Sequence, residues 1–332
     1  MLTVPGRVQV NTDSPKAEAG MQSTQPTHLV AASMLMVASM AIIGVIDNFV
    51  IRLAEGIGLW QFHLSRSLLM LPLIVLLSLL GLGTLRPRRY GIVALRSVLI
   101  TMSMLFYFSA LALMPIAQAL AGLFTSPIFV LLISVLLLKQ RIGPWRIVAV
   151  VLGFSGILCV LQPDPTSFEV KTLLPVAGGF FYALGAIVTR TQCANESTVA
   201  LLAALVVTLG LAGAVGLIWL ALVPVGGPAG ADGFAMRGWV WPMHEVLPWI
   251  VVQAVGSTVA VFMLIKAYQL GEPSYVAVFE YSVMIFGPLF AWVAFGQSIG
   301  QMQVIGIGMI AFAGVLLGSR ESRISSTSYE AR

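Results

Sequence analysis

ALALMPIAQALAGLFTSPIFVLLISVLLLKQRIGPWRIVAVVLGFSGILCV, residues 110–160, holds two apolar runs on either side of a short basic hinge, 139–145. Each run is about 20 residues long, enough for a helix to cross a bilayer, so the stretch predicts a membrane helical hairpin. A diverged copy returns at 267–319 as AYQLGEPSYVAVFEYSVMIFGPLFAWVAFGQSIGQMQVIGIGMIAFAGVLLGS. Ala110 falls on Ala267, Leu113 on Leu270 and, across a one-residue gap, Pro115 on Pro273. The hinge residues Lys139-Gln140 fall on Gly296-Gln297, and Phe154-Ser155-Gly156 on Phe312-Ala313-Gly314. One half of the chain therefore repeats the other.

The bulk numbers agree with a membrane chain. Of 332 residues 58% are hydrophobic and only 9% charged, with a mean hydropathy of +0.97. A soluble domain carries roughly a quarter of its residues as charges. The net charge of +5 is no nucleic-acid signal, because the basic residues sit in short loops between apolar runs. Cys159 falls within a run and Cys193 in a loop, so no disulfide framework is expected. Residues 1–28 are polar and lack the basic-then-apolar pattern of a signal peptide. They read as a cytoplasmic disordered tail before a retained first helix.

Ten spans are predicted, giving an all-α membrane protein: 30–51, 60–82, 91–111, 116–138, 144–161, 173–188, 198–222, 247–268, 274–295 and 302–318. They divide into two five-helix repeats, 29–162 and 163–319, followed by a cytoplasmic tail at 320–332. The long loop 223–246 is rich in Gly and Pro and carries Trp239 and Trp241, suited to a membrane–water interface. With the N-terminus inside, thirteen Lys and Arg residues lie on the inner side, among them Arg86, Arg88, Arg89, Lys139, Arg141 and Arg146. Only Arg52, Lys171 and Arg237 lie outside, which predicts cytoplasmic termini. Five is an odd number, so the second copy enters the membrane from the opposite side. Two inverted halves around one cavity are the sequence signature of alternating access.

An ionisable group inside a span costs at least a few kcal/mol unless paired or hydrated. Asp47 falls about 7 Å inside the outer end of span one and Arg66 about 9 Å inside that of span two, by the rise of a helix. At similar depth on consecutive helices they are expected either to pair as a structural bridge or to mark a binding site. His63, one turn from Arg66, is placed near the surface and given no role. Arg96 lies in the inner half of span three, where snorkelling to the headgroups competes with a site role. Glu280, about 9 Å inside span nine from the cytoplasmic side, has Tyr281 beside it and no partner in its own helix; the structural alternative is a bond to backbone or to Lys266 of span eight. It is the candidate for a group that responds to protons. Aromatic clusters at 106–108, 180–182 and 275–281 suit either packing or a ring-bearing solute. Pro127 and Pro288 fall at nearly matching places in the two copies, as helix kinks expected to line the cavity. Gly314 and Gly318 make a small-xxx-small pair on span ten, a signal for close helix contact or a homodimer.

The absences narrow the function. No Gly-x-x-x-x-Gly-Lys-Ser/Thr loop occurs, so ATP hydrolysis by that route is excluded. His244-Glu245 has no second His at metalloprotease spacing, and neither metal nor cofactor is expected.

These residues resemble the drug/metabolite transporter superfamily in its ten-helix, EamA-like form. The resemblance spans 30–318 and is carried by Asp47-Asn48-Phe49, Phe62-His63-Leu64-Ser65-Arg66-Ser67, Leu95-Arg96-Ser97, 113–117, Ser126-Pro127 and the hinge 138–141. Phe279-Glu280-Tyr281 matches a branch with S-adenosylmethionine-uptake-like and riboflavin-importer-like members. That branch implies a metabolite carrier of the bacterial inner membrane. The family's usual Gly-Glu at the ends of spans four and nine is replaced by Lys139-Gln140 and Gly296-Gln297, so a gating role for those acids does not carry over. The expectation is a secondary transporter of a small anionic, zwitterionic or ring-bearing metabolite, with Asp47, Arg66, Arg96, Glu280 and Tyr281 as binding or coupling residues. A membrane-embedded lipid-modifying enzyme, which would form product without a second compartment, and a passive channel, which would not saturate, are the alternatives.

Overall fold

The computed structural model describes residues 28–330 other than 112, 113, 115, 164–169, 224, 225, 227–229, 231 and 232. The expected N-terminal tail up to residue 27, Arg332, and part of the 113–117 motif and of the 223–246 loop lie outside the described residues.

Among the described residues, ten helical segments are long and apolar enough to cross a membrane. Span one is α1 (Leu29–Asp47) with α2 (Val50–Gly56), span two α3 (Leu59–Leu79) and span three α4 (Tyr90–Leu111). Span four is split into α5 (Ile116–Leu123) and α6 (Ser126–Leu136), and span five is α7 (Pro144–Leu161). Spans six to eight are α8 (Leu173–Thr191), α9 (Thr198–Leu222) and α10 (Leu247–Leu270). Span nine is split into α11 (Pro273–Glu280) and α12 (Val283–Phe295), and span ten is α13 (Gln301–Glu330). Span one extends about a turn beyond its predicted end, because the chain re-forms a helix after a break at Asn48-Phe49.

The breaks in spans four and nine have a local cause. At Phe124-Thr125 the chain tightens, with Thr125 N–H donating to Gly122 O at 3.2 Å and Ile128 N–H to Thr125 O at 3.0 Å. These are i→i+3 bonds of the 3₁₀ kind. Pro127 sits in the first turn of the new helix, the place a residue without an N–H fits. Tyr281-Ser282 repeats the pattern: Ser282 N–H donates to Phe279 O at 3.2 Å and Ile285 N–H to Ser282 O at 2.9 Å. Here Pro288 lies inside α12, well past the break. Pro127 thus starts a helix where a kink was expected.

Helix pairs five–ten, two–seven, one–eight and three–six make the most extensive contacts. Exchanging spans one–five for six–ten maps this set onto itself, consistent with two copies of one five-helix unit. Lipid offers no hydrophobic gain for bringing helices together, so close backbone approach must hold them. Spans five and ten meet at glycines: a Cβ on Gly306 would lie 2.4 Å from Gly156 O, and one on Gly156 2.8 Å from Gly306 O. The expected pair on span ten behaves otherwise. Gly314 faces Phe279 of its own chain and Gly318 has open space beside it. Outward-facing apolar residues such as Leu136, Leu222 and Val293 are more than two-thirds exposed, as lipid contact requires.

Candidate functional site

One cavity of about 600 Å³ runs between the halves. Its walls come from spans one to nine, and Gln297, Ser298, Ile299 and Gln303 line it at the turn between spans nine and ten. No residue of the turns at the other face lines it, so the cavity has a mouth on one side and a floor near the other. Arg96, Thr189, Tyr268 and Glu280 make that floor.

Four of the ionisable residues expected from sequence, Asp47, Arg66, Arg96 and Glu280, line this space together. Pro288 lines it too, but Pro127 does not; its neighbour Ser126 does. Tyr281 also stands apart from the wall. It is fully buried, its ring fills the space beside Gly153, and its centroid lies 6.4 Å from that of Phe124. The aromatic residues at the two helix breaks therefore touch.

Asp47 is the last residue of α1, and its side chain is exposed to the cavity. The break after it is fixed by Asn48, whose amide donates to Gly44 O at 2.7 Å and Gly287 O at 3.3 Å. Arg66 faces the same space from span two, near enough for its charge to act on Asp47. No ion pair joins them among the described residues, which corrects the structural-bridge alternative. Arg66 lies over the Phe62 ring at 4.8 Å and meets His63 Nδ1 at 3.4 Å, and its Nε has no acceptor.

His63 is itself a correction. It is 2% exposed, packed edge-on against Phe108 at 4.6 Å, with Nε2 unpartnered. The loop between spans seven and eight caps the start of span two: Leu59 N–H donates to Phe234 O at 2.8 Å, Trp60 Nε1 to Ala235 O at 2.9 Å and Gln61 Nε2 to Val240 O at 2.8 Å. A depth counted from Trp60 could not include that cover.

Arg96 does not snorkel. It is 2% exposed and turns inward, its Nε donating to Thr189 Oγ1 at 3.1 Å. At the matching place in the second copy stands Gln253, which donates to Ile46 O at 2.7 Å and also lines the cavity. Span three reaches span six through Arg96 as span eight reaches span one through Gln253. The structural alternative for Glu280 is a bond to backbone or Lys266. Instead Tyr182 Oη at 2.7 Å and Tyr268 Oη at 2.6 Å both donate to its Oε1. The aromatic cluster at 180–182 had pointed near one of these tyrosines; Tyr268 carried no separate signal. The arrangement offers a solute two acids, two guanidiniums and a largely aromatic and aliphatic wall. Among the described residues no group of three His, Cys, Asp or Glu side chains is placed to hold a metal.

Residues 30–162 match the EamA-like transporter family. Over 311 residues the chain is 26% identical to a riboflavin transporter of Rhizobium johnstonii, covering 91% of this chain and 95% of that one. It is 22% identical over 276 residues to an S-adenosylmethionine uptake transporter of Rickettsia prowazekii, covering 83% and 86%. A solved crystal structure superposes with a TM-score of 0.70 at 16% identity, covering 88% of this chain and 98% of that one. That last likeness concerns the fold alone.

Proposed function

This chain is a ten-helix relative of the EamA-like transporters, and from that premise we propose that it carries a small organic solute across the bacterial inner membrane by alternating access. The observation that carries this is the unpaired set of charges in one enclosed space. Ionisable groups are costly in a membrane and persist where they meet a solute, an ion or each other. Asp47 and Arg66 share the cavity without an ion pair, so each is available to a ligand. Asp47 binds a cationic part of the cargo, and Arg66, with Arg96 deeper, an anionic part. The aromatic wall, Phe62, Phe108, Tyr107 and Phe124 among it, fits a ring. Riboflavin and S-adenosylmethionine, the cargoes in the relatives' names, are both ring-bearing metabolites. A ring-bearing cargo with a zwitterionic portion suits this wall best.

The two five-span halves, 29–162 and 163–319, are inverted copies, and exchanging their conformations opens the cavity to the other side. Glu280, held between tyrosines of spans six and eight, takes and gives up a proton as they move. The excess of Lys and Arg in the turns opposite the cavity mouth supports a cytoplasmic location for those turns and both termini. The mouth then faces outward.

The test is a thermal-shift screen of the purified protein against metabolites, followed by uptake into proteoliposomes. A ligand of the folded state raises the unfolding temperature with the logarithm of its excess over Kd. Uptake of that ligand should saturate and show counterflow. Non-saturating flux would instead make the cavity a channel. Wild-type uptake by membrane-inserted Asp47→Ala and Glu280→Gln variants would remove these residues from the mechanism.

A further inference from the structure

Beneath the cavity floor lies a second polar cluster, none of whose residues lines the cavity. Its centre is Gln269, next in sequence to the floor residue Tyr268 and 4% exposed. Its Nε2 donates to Cys193 O and Glu196 O, each at 2.8 Å. Its Oε1 accepts from Thr198 Oγ1 at 2.6 Å, and its carbonyl accepts from Arg190 at 2.5 Å. Glu196 extends the chain by accepting the N–H groups of Arg88 at 2.7 Å and Arg89 at 2.9 Å. Three residues on, Glu272 at the start of α11 is ion-paired with Arg146 of α7, which also donates to Ser274 at 3.1 Å. The charges of Arg190 and Glu272 also act on each other. Turns two–three, six–seven and eight–nine and the start of span five are thereby tied together.

The repeat gives this cluster a direction. By the shift that lays Lys139 on Gly296, Arg146 falls on Gln303, which lines the open mouth. Met114 and Pro115, beside the matching turn of the first copy, are not acidic. At the positions matching Arg146 and Glu272 the mouth therefore carries no charged pair like the one that ties the opposite face.

We infer that Gln269 and the Arg146–Glu272 pair are the gate of the transport cycle at the face opposite the mouth. The inference rests on the alternating-access function proposed above. For the cavity to open there, Glu272 must leave Arg146 and Gln269 must release the six–seven turn. Because the mouth has no such pair, the mouth-open state is the favoured resting one.

The test needs no cargo, so its failure is separable from that of the proposed function. Ser257, on the cavity wall, is replaced by cysteine in a chain with Cys159→Ala and Cys193→Ala, and full-length protein is placed in vesicles of each orientation. A membrane-impermeant maleimide should label Ser257→Cys from the mouth side and slowly from the other. Glu272→Gln should shift the ratio of the two rates about fivefold toward the opposite side, the scale of a partly exposed ion pair. Arg146→Glu should shift it the same way, and the exchange Arg146→Glu with Glu272→Arg should move it back. Gln269→Met, which keeps volume and removes the amide bonds, is read in the same assay should a charge variant not accumulate. Unchanged sidedness in Glu272→Gln, or in Gln269→Met where that is the variant read, overturns the gate.

Discussion

Asp47 ends a helix whose last carbonyls already carry partial negative charge, so a carboxylate there is placed against the helix dipole. A side chain held so, with no cation paired to it, lowers stability in return for a function. Asp47→Asn should therefore raise the unfolding free energy by about 0.5–1 kcal/mol while reducing cargo uptake about tenfold or more. Calorimetry of purified protein and vesicle uptake check the two signs together, and a variant that loses both fits no binding role. Tyr268→Phe removes one of two donors to Glu280 Oε1, a hydrogen bond worth about 0.5–1.5 kcal/mol. Its unfolding temperature should fall, as should that of Tyr182→Phe, and an unmoved temperature in both would mean the clamp is not formed. In the six–seven turn, burial raises the Cys193 thiol above its ordinary value, despite the Arg96 charge that opposes it. The thiol should stay protonated, and alkylation at pH 8 should be slow until the protein is unfolded. Sequence alone reached Asp47, Arg66, Arg96 and Glu280, because a charge in an apolar run is visible without coordinates. It did not reach Tyr182 or Tyr268 as partners, since a hydroxyl meeting a carboxylate across three helices leaves no trace in spacing. His63 was misjudged for a related reason: a loop distant in sequence covers it.

At the scale of helices, the span count was legible because it rests on long apolar runs, and the helix pairing is consistent with the repeat read from residue matches. The breaks were not, because a proline announces a lost N–H but not which turn of the helix gives way. In span four the chain yields just before Pro127, and in span nine it yields at Tyr281-Ser282, upstream of Pro288. Replacing Pro288 by Ala should then leave the break in place and cost little stability. Replacing Gly306 by Leu should cost about 1–3 kcal/mol, because the side chain would enter the backbone of Gly156. Thermal unfolding in detergent distinguishes the two, and a tolerated leucine at 306 would mean that spans five and ten do not touch there. Gly314 and Gly318 form the small-xxx-small pair in sequence, yet the close approach uses Gly306, which no local motif singled out.

For the whole molecule, the pairing of spans one–eight with three–six, and the answering contacts of Arg96 and Gln253, make the two copies exchangeable in their packing while their chemistry differs. Glu280 falls against Leu123 in the other copy, and Arg146 against Gln303. Shape is thus shared between the halves and charge is not. The crossing of spans five and ten adds a further consequence. Where two helices meet backbone to backbone, with nothing flexible between them, sliding is blocked and only turning remains. In the transport cycle proposed above, that crossing would serve as an axle on which the rest swings, and a short covalent staple across it should leave cargo flux intact.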